Sequence, residues 1–158
     1  MVAYTDSYGF NKGTAEYPAY GGNRISYIEV ELDFATIVAD RAAASVTALA
    51  AADTLQIIQL PANSVVLHAG FEVTSVETTN TTATFDFGFT GGSPAAANVF
   101  GNDIASNALA WSLAAGASTA LPNPVIIGTS NDTIDLLINT DDPTDCVLRC
   151  FAFVLNPN

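Results

Sequence analysis

The sequence predicts an all-β protein, an antiparallel β-sandwich of about eight strands with an extended N-terminal arm. Three observations lead there. Apolar and polar residues alternate with period two along most patterned segments. These segments are short and separated by Gly, Pro, Asn and Asp turn residues. Strands do not alternate with long helical patterns, which removes the parallel α/β classes. Among sandwiches the long connections make a jelly roll the first choice and an immunoglobulin-like sandwich the second.

The chain has 158 residues, enough for one domain with a substantial core. Residues 1–25 read as an arm and residues 26–158 as the sandwich. All five tyrosines, Tyr4, Tyr8, Tyr17, Tyr20 and Tyr27, lie in the first 27 residues. Around the first four sit Phe10, Pro18 and several glycines, without helical or strand periodicity. Such a stretch cannot bury itself, yet it is too aromatic for a plain disordered tail. It reads as an arm that orders against a neighbouring subunit or a larger surface, with Tyr4, Tyr8, Phe10, Lys12, Tyr17, Tyr20 and Arg24 as contacts. The alternative is an arm packed along its own domain.

The first strand is SYIEVELDF at 26–34, where Ile28, Val30, Leu32 and Phe34 alternate with Glu29, Glu31 and Asp33. The Ala-rich run after it loses that alternation and reads as a short helix around 36–45 or as a packed loop. From Thr54 to Leu60 alternation returns. The turn Pro61-Ala62-Asn63-Ser64 then leads into VVLHAGFEVTSVET, which reads as a hairpin or a connected strand pair. Phe85, Phe87 and Phe89 share one face of the next strand, which ends at Gly91-Gly92-Ser93-Pro94. Residues 95–120 are weakly patterned and read as a long excursion, with a short strand at Leu109-Trp111-Leu113. Strands at 124–129, 132–140 and 146–155 close the chain. There is no internal repeat.

Composition excludes several functions. The net charge is −12 with four basic residues, which argues against nucleic acid, phosphate or an anionic membrane as partner. Hydrophobic residues make up 49% and charged residues 13%, so the chain folds and much of its surface is suited to covering by other subunits. No segment approaches the ~20 apolar residues of a membrane span, and the N-terminus lacks signal-peptide regions, so synthesis in a host cytoplasm is the expectation. Cys146 and Cys150 lie roughly 13 Å apart on a regular strand, too far for a disulfide, and alternate with Leu148 as small core residues.

No constellation supports catalysis, a cofactor or a small-molecule substrate. His68, the single histidine, lies in a strand run, and by parity Val66, His68, Gly70 and Glu72 share a face. A triad or a metal jelly roll needs more partners than one histidine supplies. Glu29 and Glu31 stand about 7 Å apart, as in any E-x-E strand, and read as a solvated face or one meeting the basic part of an arm. Asp141, Asp142 and Asp145 form an Asp-rich turn whose spacing does not match a calcium loop. Gly91-Gly92 makes no phosphate cradle.

The block from Asp53 to Thr78 resembles a run common in structural proteins of tailed-bacteriophage heads. The matching pieces are Asp53, Leu55, Ile57, Leu60-Pro61-Ala62-Asn63 and Val65 through Val73. Phe85-Asp86-Phe87-Gly88-Phe89, the DTIDLLIN run at 132–139, Val147-Leu148-Arg149 and Phe153-Val154 are similar to later blocks. The resemblance implies a capsid decoration (cement) protein with a β-sandwich or jelly-roll body. Such proteins sit as homotrimers on the outer surface of the head, bridging major capsid proteins, and carry no catalytic residues. Where the family often has Gly, this chain has Asn63, a residue that tolerates left-handed backbone. An acidic body suits the outer face of a shell, and an aromatic arm suits a seam. The rival reading is a virion surface knob that binds glycans or a host surface through Trp111, flanked by Asn107 and Ser112. Otherwise a lone tryptophan belongs to the core.

Overall fold

The structure, a computed structural model, describes residues 5–6, 24–91, 96–114 and 124–156. Of the predicted arm contacts, Tyr4, Tyr8, Phe10, Lys12, Tyr17 and Tyr20 lie outside the described residues, as does the side chain of Arg24. The Gly92-Ser93-Pro94 part of the predicted break lies outside them too.

The elements in chain order are β1 (Thr5–Asp6), β2 (Arg24–Asp33), α1 (Phe34–Ala43), β3 (Thr54–Leu60), β4 (Val65–Ser75) and β5 (Thr84–Phe89). They continue as β6 (Ala96–Ala105), β7 (Trp111–Ala114), β8 (Val125–Ile126), β9 (Asp132–Thr140) and β10 (Val147–Asn156). Sheet I has the order β1-β3-β9-β5-β6, and sheet II the order β2-β10-β4-β7 with β8 beside β4. All pairings are antiparallel. From β2 to β5 each successive strand crosses to the other sheet, and among the described residues only β5 and β6 are consecutive neighbours within one. This wrapping makes the sandwich a jelly roll, as the sequence predicts.

Period-two alternation decides which side chains meet between the sheets. Ile28, Val30 and Leu32 of β2 and Leu148, Cys150, Ala152 and Val154 of β10 point inward and are buried. Phe85, Phe87 and Phe89 face them from sheet I. Phe34 stacks on Phe85 at 5.2 Å, and Phe100 packs between Phe87 and Phe89 at 5.8 and 5.5 Å. Burial pushes both cysteine thiols well above their ordinary range.

The helix forms where the sequence places one, a little earlier than the 36–45 reading. Asp33 caps it, accepting from the N–H groups of Ala35 at 3.1 Å and Thr36 at 3.3 Å. Its inner face buries Phe34, Ile37 and Arg41. The Arg41 Nε donates to the carbonyl of Thr47 at 2.8 Å, which ties the helix end to the following loop.

Four expectations are corrected. β3 and β4 do not form a hairpin: they belong to different sheets, and the Pro61–Ser64 turn carries the chain between them. Asn63 in that turn does adopt left-handed backbone, with φ 61°. The excursion at 95–120 contains a full strand, β6. Its alternation is broken by register shifts against β5 and by Asp103 at φ 48°, so adjacent Val99 and Phe100 are both buried. The 124–129 strand shrinks to the two residues of β8. Finally, a bulge between the Phe153–His68 and Val154–Val66 pairs reverses the parity of β4. Val66 is buried inside while His68 is exposed on the outer face, so they do not share one.

Candidate functional site

The outer faces of the two sheets differ in chemistry. On β2 the residues alternating with the core are Ile25, Tyr27, Glu29 and Glu31; on β10 they are Arg149, Phe151, Phe153 and Leu155. The register brings Phe153 between Tyr27 and His68, and Arg149 between Glu31 and Glu72. Tyr27 packs on Phe153 at 5.2 Å and Phe151 at 6.1 Å between ring centroids. Its hydroxyl donates to the Glu29 carboxylate. Burial and this bond to Glu29 push the Tyr27 hydroxyl up to about 12.

Arg149 links two carboxylates across this face, NH1 to Glu72 at 3.1 Å and Nε to Glu29 at 3.7 Å. All three side chains are about two-fifths exposed, so each pair contributes only about 0–1 kcal/mol. Beyond Glu72 stands Trp111 on β7, opposite it in register and 77% exposed. Two shallow cavities meet there. One, of about 280 Å³, is lined by Glu72, Val73, Thr74, Leu109, Ala110 and Trp111. The other, of about 320 Å³, is lined by Glu72, Trp111 and Phe151.

The exposed large apolar residues of the described chain are Ile25, Tyr27, Leu109, Trp111 and Ile126. Ile25 and Tyr27 lie on β2, Trp111 on β7, Leu109 just before β7, and Ile126 on β8 opposite Val65. They therefore all belong to sheet II or its rim, and none to sheet I. Sheet I instead exposes Gln56, Gln59, Asn98, Asn102 and Asp103. Exposed large apolar side chains thus concentrate on one sheet of an acidic protein.

The placing of Trp111 overturns its core reading and meets the geometric requirement of the glycan-binding alternative. Sequence reasoning missed Phe151, Phe153, Ile25 and Ile126 as surface residues. A usable signal lay in CFAFVL at 150–155, which is apolar at every position. An antiparallel strand without polar alternation has both faces covered, and only one of them meets the core.

The other candidate residues stand apart from this face or are engaged within it. Glu29 is held by Tyr27 and Arg149, and Glu31 is exposed. Asp145 accepts from the Thr78 N–H at 2.8 Å, Asp141 accepts from the Thr82 hydroxyl, and the Asp142 carbonyl accepts from Asn80 Nδ2 at 2.6 Å. These acids close a turn against the 76–83 loop. No group of three or more metal-ligating side chains occurs among the described residues.

The described residues thus form a ten-strand jelly roll with an acidic, aromatic outer face on one sheet. The chain is similar in fold to a chain of the capsid of Ralstonia phage GP4, with TM-score 0.59, 14% identity and 92% of each chain covered. It is likewise similar to a chain of the acidic stable capsid structure of Helicobacter pylori bacteriophage KHP30, with TM-score 0.54, 12% identity and 87% of this chain and 92% of that one covered. A chain of the cyanophage Pam1 capsid asymmetric unit matches with TM-score 0.51, 16% identity and 92% and 95% covered. No protein-family model matches the sequence, and no curated protein matches it.

Proposed function

We propose that this chain is a virion structural protein, a cement protein that binds the outer surface of a phage head at junctions of the major capsid protein and stabilises the shell. The observation that carries the reading is the jelly roll shared, over about nine-tenths of its length, with chains from phage capsids. An acidic protein with one polar and one aromatic outer face fits a molecule seated on another surface. The role is structural and not catalytic. It is assembled in the host cytoplasm as a homotrimer, with residues 1–25 as an arm and residues 26–158 as the body. In this reading Tyr4, Tyr8, Phe10, Lys12, Tyr17, Tyr20 and Arg24 strap the body to the shell or to a sister subunit. β1, within the arm, pairs with β3 at the edge of sheet I, a first anchor for such a strap.

The test is reconstitution. Purified chain is added to heads of its own phage that lack it, and occupancy and heat-induced DNA release are measured. Saturable binding that raises the release temperature is expected; heads that neither bind it nor gain stability overturn the reading.

A second reading, a knob that binds glycans, is favoured by one observation: Trp111 is exposed beside Glu72 and Phe151, where a pyranose could stack. Quenching of Trp111 fluorescence by soluble glycans is its test, and an unquenched spectrum across a glycan panel removes it.

A further inference from the structure

The two outer faces together say which way the molecule sits and what it sits on. We infer that the outer face of sheet II, from Ile25 and Tyr27 across Phe151 and Phe153 to Trp111, is the docking face. Its partner is a shell polypeptide whose apolar surface carries lysine or arginine, and the polar face of sheet I looks to solvent. This inference rests on the cement reading and adds to it the face used and the chemistry of the partner surface.

Charge complementarity selects the occupant. The face presents the carboxylates of Glu29, Glu31 and Glu72 against one guanidinium, that of Arg149, which already lies between Glu29 and Glu72. Among the described side chains the other arginine, Arg41, is buried and faces the Thr47 carbonyl. Among the described side chains a second copy therefore offers these acids no lysine or arginine beyond an Arg149 committed to the same face. Pairing two such faces would set carboxylates against carboxylates while burying aromatic rings. A partner with its own lysines and arginines answers the acids and covers the rings together.

The geometry suits a rigid contact. Four strands spaced about 4.8 Å apart carry the face, and its central aromatic cluster is locked by cross-strand packing. Aromatic anchors ringed by polar groups are the usual centre of binding energy, because each buries a large area with few rotatable bonds.

The experiment uses the full chain, heads of its phage lacking it, and four variants: Tyr27→Glu, Trp111→Glu, Glu31→Lys and, on sheet I, Gln59→Glu. The altered side chains are exposed, so thermal melts are expected to stay close to the parent. Tyr27→Glu, Trp111→Glu and Glu31→Lys should each weaken head binding roughly tenfold or more, with Gln59→Glu unchanged. Raising NaCl from about 50 to about 500 mM should weaken parent binding several-fold and Glu31→Lys binding less. The light-scattering mass should be the same for all. If parent and variants bind heads equally, this face is not the docking face, although the cement reading stands. If the parent does not bind heads, both fall. If the mass drops in Tyr27→Glu or Trp111→Glu, the face joins copies of this chain and the inference is overturned. If soluble glycans quench Trp111 while head binding survives its replacement, the face belongs to a sugar and the inference is again overturned.

Discussion

Glu77 accepts two hydrogen bonds from Thr144, one from its backbone N–H at 2.7 Å and one from its hydroxyl. The same carboxylate takes the N–H groups of Asp145 at 3.1 Å and Cys146 at 3.4 Å, and on its own side those of Asn80 at 3.2 Å and Thr79 at 3.4 Å. One buried side chain thus satisfies both the loop after β4 and the loop before β10. Burial alone would raise its pKa, but the bonds from Asp145 and Thr144 outweigh it and hold the carboxyl far below the usual carboxylate range.

Replacing Glu77 by Gln should therefore cost about 2–4 kcal/mol at neutral pH, because the amide turns donors toward buried N–H groups. The depressed pKa fixes the pH dependence. Its contribution is complete above the unfolded value of 4.5 and is lost as pH falls through the much lower folded value. Urea unfolding of parent and Glu77→Gln should show the widest gap at pH 7 and a narrowing gap below about pH 4. A gap that is constant with pH would remove the carboxylate from this role.

Asp135 behaves in the opposite sense. It is buried in β9 between β3 and β5 and accepts from the Thr90 N–H at 3.1 Å and the Thr133 hydroxyl at 2.6 Å. Burial raises its pKa, and the bonds from Thr133 and Thr90 only partly offset this. A raised carboxyl pKa means the ionised form costs stability above the folded value, and the cost fades as pH falls through it. Asp135→Asn should lie within about 1 kcal/mol of the parent at pH 7, or above it, and compare less well at low pH. Thermal melts at pH 7 and pH 3 check both halves.

Cys146, just before β10, and Cys150, on the inward face of β10, are free and fully buried. With both thiols held protonated by burial, neither should react with a thiol reagent in the native protein, and both should on unfolding. Reductant should leave the melting temperature unchanged. Labelling of Cys150 under native conditions at a rate near that of the unfolded chain would contradict the placement of β10.

Gly88 of β5 lies against the backbone of β6. A Cβ there would lie 2.7 Å from the carbonyl oxygen of Ala97 and closer still to that of Ala96, both backbone atoms without freedom to move. Gly88→Ala should cost about 3 kcal/mol or more, at the upper end of overpacking effects, read as a lower urea midpoint. A change of under about 1 kcal/mol would mean that β6 yields there.

Much of the body was legible because its strands are short apolar-rich runs bounded by turn residues, β2 with clean alternation. β2, β3, β9 and β10 lie within two residues of their predicted bounds. The alanine run similarly places α1. β6 was not legible, because a bulged strand presents Val99 and Phe100 consecutively and mixes polar residues into its middle. Val66 was put on the face of His68 for the same reason, since one extra residue at a bulge inverts every parity before it.

By itself the sequence determined the class, the stripes that make the core, the two cysteines as core residues and the turn at Pro61–Ser64. These depend on local backbone preference and on burial by alternation, both readable over a few residues. Only the tertiary structure decided that β3 and β4 part into different sheets, that Glu77 gathers two loops 67 residues apart, and that Trp111, Tyr27 and Phe153 share one exposed face. Period two tells that a residue faces one side of a strand. Which side meets the core and which meets a partner is settled by strands brought together from distant parts of the chain.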